Sequence, residues 1–122
     1  MKITKELLRE WSACADGYAW FLRKFPEGGE TQEVLDALAA DGRIADASWL
    51  LDRAPQSNAV LELDGAVTAK HIAFAGRIVI RGNLFISGSL LAGEGITAGG
   101  GIKAGLGIKA GGGIKAGLGI KA

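Results

Sequence analysis

Residues 72–98 read IAFAGRIVIRGNLFISGSLLAGEGITA. Ile72, Ile78, Leu84, Leu90 and Ile96 stand six apart, and the spacing continues through Ile102, Ile108, Ile114 and Ile120. Two residues after each comes a second inward candidate: Phe74, Ile80 and Ile86, then Ala92, Ala98, Ala104, Ala110, Ala116 and Ala122. Positions two apart share one face of a strand. Glycine follows shortly, at Gly76, Gly82 and Gly88 and then from Gly93 to Gly117 at the same step, and lends the backbone freedom a corner needs. Each hexad is therefore one short strand and one bend. A helix has no six-residue period, and a disordered glycine-rich linker would not hold isoleucine in register for so long. The spacing predicts a parallel β-solenoid over 58–122.

Three hexads per coil make a triangular prism of 18 residues per turn; two make a flattened coil of 12. The tail repeats at twelve, since 99–110 and 111–122 both read GGGIKAGLGIKA. That suits the flattened coil, or it records a duplication. A 12-residue coil holds Phe74, Ile80 and Ile86 poorly, so the triangle is preferred. Leu61/Leu63 and Val67/Ala69 carry the same inward pair earlier. The step from Val67 to Ile72 is five, which places a missing residue at one corner.

Residues 1–57 differ in character and predict a small helical domain of three helices, so the fold class is α+β by segment. Leu7, Trp11, Cys14, Tyr18, Phe21 and Phe25 recur at steps of three and four over 4–25, one stripe of a helix. Thr4 is a cap for its start, and Phe25-Pro26-Glu27-Gly28-Gly29 ends it. Thr31 is the expected cap of a second helix over 31–40, with Val34, Leu35 and Leu38 inward. A third, over 44–53, carries Ile44, Ala47, Leu50 and Leu51. Such a unit has a thin core and needs support. Trp11, Trp20 and Trp49 are read as packing between helices.

The run RIVIRGNLFISGSLLAG at 77–93 resembles the hydrophobic-x-hydrophobic-x-Gly coils of bactofilins, polymer-forming bacterial β-helix proteins. The resemblance covers about 66–99. The hexapeptide β-helix of acyltransferases is the other relative, although there the small residue precedes the aliphatic by two, and here it follows. Handedness stays open. The resemblance implies a β-helix scaffold that self-associates.

Nothing in the sequence assembles an enzyme. His71 is the single histidine and Cys14 the single cysteine. No loop interrupts the hexads to cover a substrate, so His71 reads as a surface residue, and Cys14 as a buried, inert thiol on the helical stripe. One His and one Cys make no metal set, and no catalytic, cofactor or metal residues are assigned. The chain has no stretch of about 18 apolar residues for a membrane, and the expected setting is cytoplasmic.

Three surfaces are nominated. Ile114, Ile120, Lys121 and Ala122 are expected to meet another copy, because an uncapped repeat exposes strand edges and core. A twofold joint makes a closed homodimer; head-to-tail stacking makes a filament. Lys103, Lys109, Lys115 and Lys121 occupy outward positions and offer an anion-binding surface for nucleic acid or an anionic partner, or serve solubility alone. Only Lys103 and Lys121 stack in a triangular coil. Finally, outward Val79, Phe85 and Leu91 need a cover, which the helices supply. Charge suits that contact or the docking of one copy on the next: residues 1–57 carry seven Lys/Arg against ten Asp/Glu, a net of −3, and 58–122 carry seven against three, a net of +4. The expected function is thus a non-enzymatic, self-associating structural protein. The alternative is a monomeric or dimeric binding or inhibitor module that uses its helical head or the lysine-bearing solenoid surface to contact a protein or an anionic partner.

Overall fold

The structure, a computed structural model, describes residues 1–55 and 57–121. Four helices come first: α1 (Lys5–Glu10), α2 (Ala15–Lys24), α3 (Thr31–Ala40) and α4 (Ile44–Arg53). A two-residue antiparallel ladder joins β1 (Lys2–Ile3) to β2 (Gly29–Glu30) and ties the start of the chain to the entry of α3. The long first helix expected from the stripe is broken. Ser12 takes a positive φ of 59° between α1 and α2, which turns the stripe's phase. In consequence Leu8, Trp20 and Phe21 fill the core, while Cys14 leaves it.

Capping follows from local chemistry. Thr4 accepts the Leu7 N–H at 3.2 Å, as expected. Thr31 is not the cap of α3. Glu30 holds that place in a capping box with Glu33, and the Thr31 hydroxyl donates instead to the Met1 carbonyl at 2.9 Å. Trp20 is buried with its indole N–H donating to Asp41 at 2.8 Å, and Trp11 meets Trp49 edge-on at 6.4 Å. The Trp20 hydrogen bond and then Lys24 hold the Asp41 carboxyl below its ordinary pKa. Arg43 does the same to Asp16, with which it pairs at 2.7 Å.

Eleven strands follow: β3 (Val60–Leu63), β4 (Val67–Ala69), β5 (Ile72–Phe74), β6 (Arg77–Ile80), β7 (Leu84–Ile86), β8 (Ser89–Ala92), β9 (Ile96–Ala98), β10 (Gly101–Ala104), β11 (Gly107–Ala110), β12 (Ile114–Ala116) and β13 (Gly119–Lys121). They stack as three parallel sheets, β3-β6-β9-β12, β4-β7-β10-β13 and β5-β8-β11. Leu84 lies beside Ile102 and Ile102 beside Ile120, so one coil is 18 residues and the prism is triangular. The first coil is one shorter, since Leu61 pairs with Ile78 and Val67 with Leu84. The aliphatic position and the one two later point inward, so Ile78, Ile80, Leu84, Ile86, Leu90, Ile96 and Ile102 form a continuous buried ladder.

The corner glycines are there for space. Their φ values are ordinary, with Gly65 and Gly119 the exceptions in the solenoid at +73° and +129°. A Cβ at Gly76, Gly93, Gly105 or Gly111 would strike the carbonyl oxygen of Ala59, Ala75, Ser87 or Gly93 in the coil below. Coils one strand-spacing apart leave no room for a methyl group at the bend.

The helices cover one face of the prism. On β5, β8 and β11 the outward residues are Ala73, Leu91 and Lys109. Ala73 and Leu91 are buried within the core of the helices. Lys109 donates to Ser48 Oγ at 2.6 Å and pairs with Asp52 at 2.8 Å, both on α4. Of the expected contact trio, only Leu91 meets the helices. Val79 stands on the β6 face, half-buried, and Phe85 on the β7 face, 44% exposed. The reason is geometric: successive hexads point their outward residues to three different sides, and one helical block covers one side.

Candidate self-association surface

Among the described residues, the upper rung is the least covered part of the solenoid core. Ile114 and Ile120 are 37% and 47% exposed, whereas Ile96 and Ile102, in register one coil below, are 1% and 2% exposed. All four hold the same place in the repeat, and among the described residues Ile96 and Ile102 have a rung above them while Ile114 and Ile120 do not. Among the described residues β11, β12 and β13 are the outer strands of their sheets, with no described strand paired to their upper edge. Lys121 is exposed in that rung. Ala122 lies outside the described residues.

The lysines do not form one surface. Lys103 and Lys121 stack in register on the face that also carries Thr68 and Phe85. Lys115 follows Thr97 on a second face. Lys109 is engaged by α4 on the third. At the corners beside the Lys103 face, Leu106 and Leu118 are 75% and 81% exposed.

His71 is half-buried rather than a free surface residue. Its Nδ1 accepts the Ser89 N–H at 3.0 Å, one coil up. Asn83 holds the same place in its hexad, just before the aliphatic, and its Oδ1 accepts the Gly101 N–H at 2.7 Å. Both side chains brace one coil to the next. That pairing was legible in the sequence, because most later hexads have glycine at this place. Cys14 is exposed rather than buried: it caps α2, with its sulfur accepting the Gly17 N–H at 3.4 Å. Among the described residues no group of three or more His, Cys, Asp or Glu side chains is placed to hold a metal ion. No described helix is long and apolar enough to cross a membrane.

The fold defines a helix-capped parallel β-solenoid. A family model described as the YdhT N-terminal domain matches residues 1–58. The chain is 48% identical over 42 residues to the "Uncharacterized protein YdhT" of Escherichia coli (strain K12), a stretch that covers 34% of this chain and 16% of that protein. No solved structure matches the chain.

Proposed function

We propose that the protein is a non-enzymatic structural β-solenoid that self-associates through the upper rung of its coil, in the manner of bactofilin-like and hexapeptide-repeat scaffolds. The observation that carries this is the exposure of Ile114 and Ile120 beside their buried equivalents Ile96 and Ile102. A second copy set on that rung would cover both side chains and pair the open edges of β11, β12 and β13. A twofold joint closes as a dimer, and this closed form is favoured over the open filament. Lys121 and Lys115 approach their own kind in that joint, and added salt strengthens it. A bacterial, cytoplasmic setting suits the likeness to the Escherichia coli protein and the exposed free thiol of Cys14.

Light scattering across concentration and salt tests the proposal. The parent should move from monomer to dimer as concentration rises, and more readily in salt. Ile120→Asp buries a charge in the joint and should weaken it by about 100-fold or more. A parent that stays monomeric at high concentration, or an Ile120→Asp variant that associates like it, refutes the proposal.

A second reading rests on the in-register pair Lys103 and Lys121, whose face carries no carboxylate among its outward strand residues. It holds that this face binds a polyanion. Binding to duplex DNA or heparin at low salt that is lost in the double variant Lys103→Gln, Lys121→Gln would support it.

A further inference from the structure

Leu106 and Leu118 stand in water, 75% and 81% exposed, at corners where glycine serves one coil below. Their N–H groups donate to the carbonyls of Gly88 and Gly100 at 2.9 and 3.2 Å, so the stacking uses their backbone and leaves their side chains spare. Both corners border one face of the prism, that of β4, β7, β10 and β13. Leu106 comes three residues after Lys103 and Leu118 three before Lys121, which sets the stacked lysines between the two leucines. Phe85, 44% exposed, is the outward residue beneath Lys103. Phe85, Lys103, Leu118 and Lys121 line a single open depression. The Leu106 corner runs down through Gly88 to Lys70, whose side chain is exposed. The other two faces differ: the helices cover that of β5, β8 and β11, and that of β3, β6, β9 and β12 carries Glu62 outward.

Lysines alone suit any polyanion. The apolar side chains beside them gain only where they leave water, and a sulfated sugar or a phosphate backbone gives them no such place. An anionic bilayer meets both demands: its headgroups attract the lysines, and its acyl boundary takes up leucine and phenylalanine. From this we infer that the β4-β7-β10-β13 face lies on an anionic lipid surface, with Lys103 and Lys121 at the headgroups and Phe85, Leu106 and Leu118 at the acyl boundary. The inference rests on the lysines of the polyanion reading above and narrows its partner to one. A second copy set on this face by a twofold axis would bring the same lysines together, which charge opposes. The face and the upper rung share Lys121, so self-association is followed beside lipid binding.

The test sediments the full chain with vesicles of phosphatidylglycerol and phosphatidylcholine in equal parts at low salt. Pure phosphatidylcholine vesicles are the neutral control, and heparin is the polyanion without an acyl boundary. The parent should bind the anionic vesicles, bind them less as salt rises, and leave the neutral ones alone. The double variant Leu106→Ser, Leu118→Ser should bind anionic vesicles about tenfold more weakly and heparin as the parent does. Lys103→Gln, Lys121→Gln should weaken both by about tenfold or more. All four side chains are exposed, so the circular dichroism of both variants should match the parent's. A parent that leaves anionic vesicles unbound at low salt overturns the inference; if it still binds heparin, the broader polyanion reading survives. Full vesicle binding by the leucine variant overturns it too, because the lysines then suffice. So does equal binding to neutral vesicles. So does a leucine variant that loses self-association in light scattering, which would make the face a contact between copies.

Discussion

Gln32 stands where a strand would lie beneath Ala75: its Oε1 accepts the Ala75 N–H at 2.9 Å. Its Nε2 donates to the Ala73 carbonyl at 2.8 Å, so one side chain satisfies both groups as a neighbouring strand does. The Phe74 carbonyl, between them, points the other way and accepts from Gly93 in the coil above. β5 is the outermost strand of its sheet, and α3 closes the edge that would otherwise be open. The helical head therefore caps the β5 edge of the first coil.

Gln32→Leu keeps the bulk and removes both hydrogen bonds. It should cost about 1–3 kcal/mol, the penalty for leaving partly buried backbone groups unpaired. Gln32→Glu keeps an acceptor for Ala75 but sets a carboxylate against the Ala73 carbonyl, and should be no better. Urea unfolding with an unchanged m-value measures the loss. A loss under 0.5 kcal/mol, of the kind about usual for surface changes, would show that the clasp is incidental.

Space at the corners, as distinct from flexibility, can be separated by two alanines. Gly93→Ala drives a methyl group into the Ala75 carbonyl and should destabilise by about 2 kcal/mol or more. Gly107→Ala meets nothing within 4 Å and has no positive φ, so it should be neutral or stabilising by about 0.4–1 kcal/mol. Equal effects at the two sites, read from thermal unfolding, would contradict the stacking argument.

Leu91 and Phe85, both outward on their strands, should behave differently. Leu91→Ala removes a side chain buried between solenoid and helices and should cost about 2–4 kcal/mol. Phe85→Ala strips a half-exposed ring from an uncovered face and should cost less than about 1 kcal/mol. Guanidinium unfolding of both variants decides whether the head covers one face only.

Acid stability should depend on Trp20. Asp41 has a lowered pKa in the folded chain, so its contribution is present above the unfolded value of 3.8 and is lost as pH falls through the folded value. Trp20→Phe removes the leading cause of that shift. The Asp41 carboxyl, followed by NMR, should then titrate closer to 3.8. An unchanged titration would leave Lys24 and Arg43 as the partners that matter.

The solenoid was readable because its constraint is local and repeated. An inward aliphatic every six residues and one five-residue step determined strand positions and the shortened first turn, while the 18-residue coil was only preferred over 12, on the bulk of Phe74, Ile80 and Ile86. The head was harder. Its helices sit where the periodicity places them, but Ser12 breaks the first, and nothing in an apolar stripe announces one residue with positive φ. The exposure of Cys14 follows from that break. Gln32 was invisible for a different reason: its partners are backbone atoms forty residues on, and its type and spacing are those of any surface position on a helix. The lone apolar ladder Val79, Phe85 and Leu91 was visible, but a linear list does not reveal that consecutive members face three ways.

The duplicated twelve-residue segment and the eighteen-residue coil are out of step. Leu106 and Leu118 are equivalent in sequence, yet one lies at the corner between β10 and β11 and the other between β12 and β13. A copied dodecad keeps its two isoleucines at inward positions and every strand paired, but it advances whatever follows by two of the three sides. Three such copies, two whole coils, bring the original side back. The tail thus behaves as a screw thread, in which copy number sets at once how far its end reaches and which way that end faces.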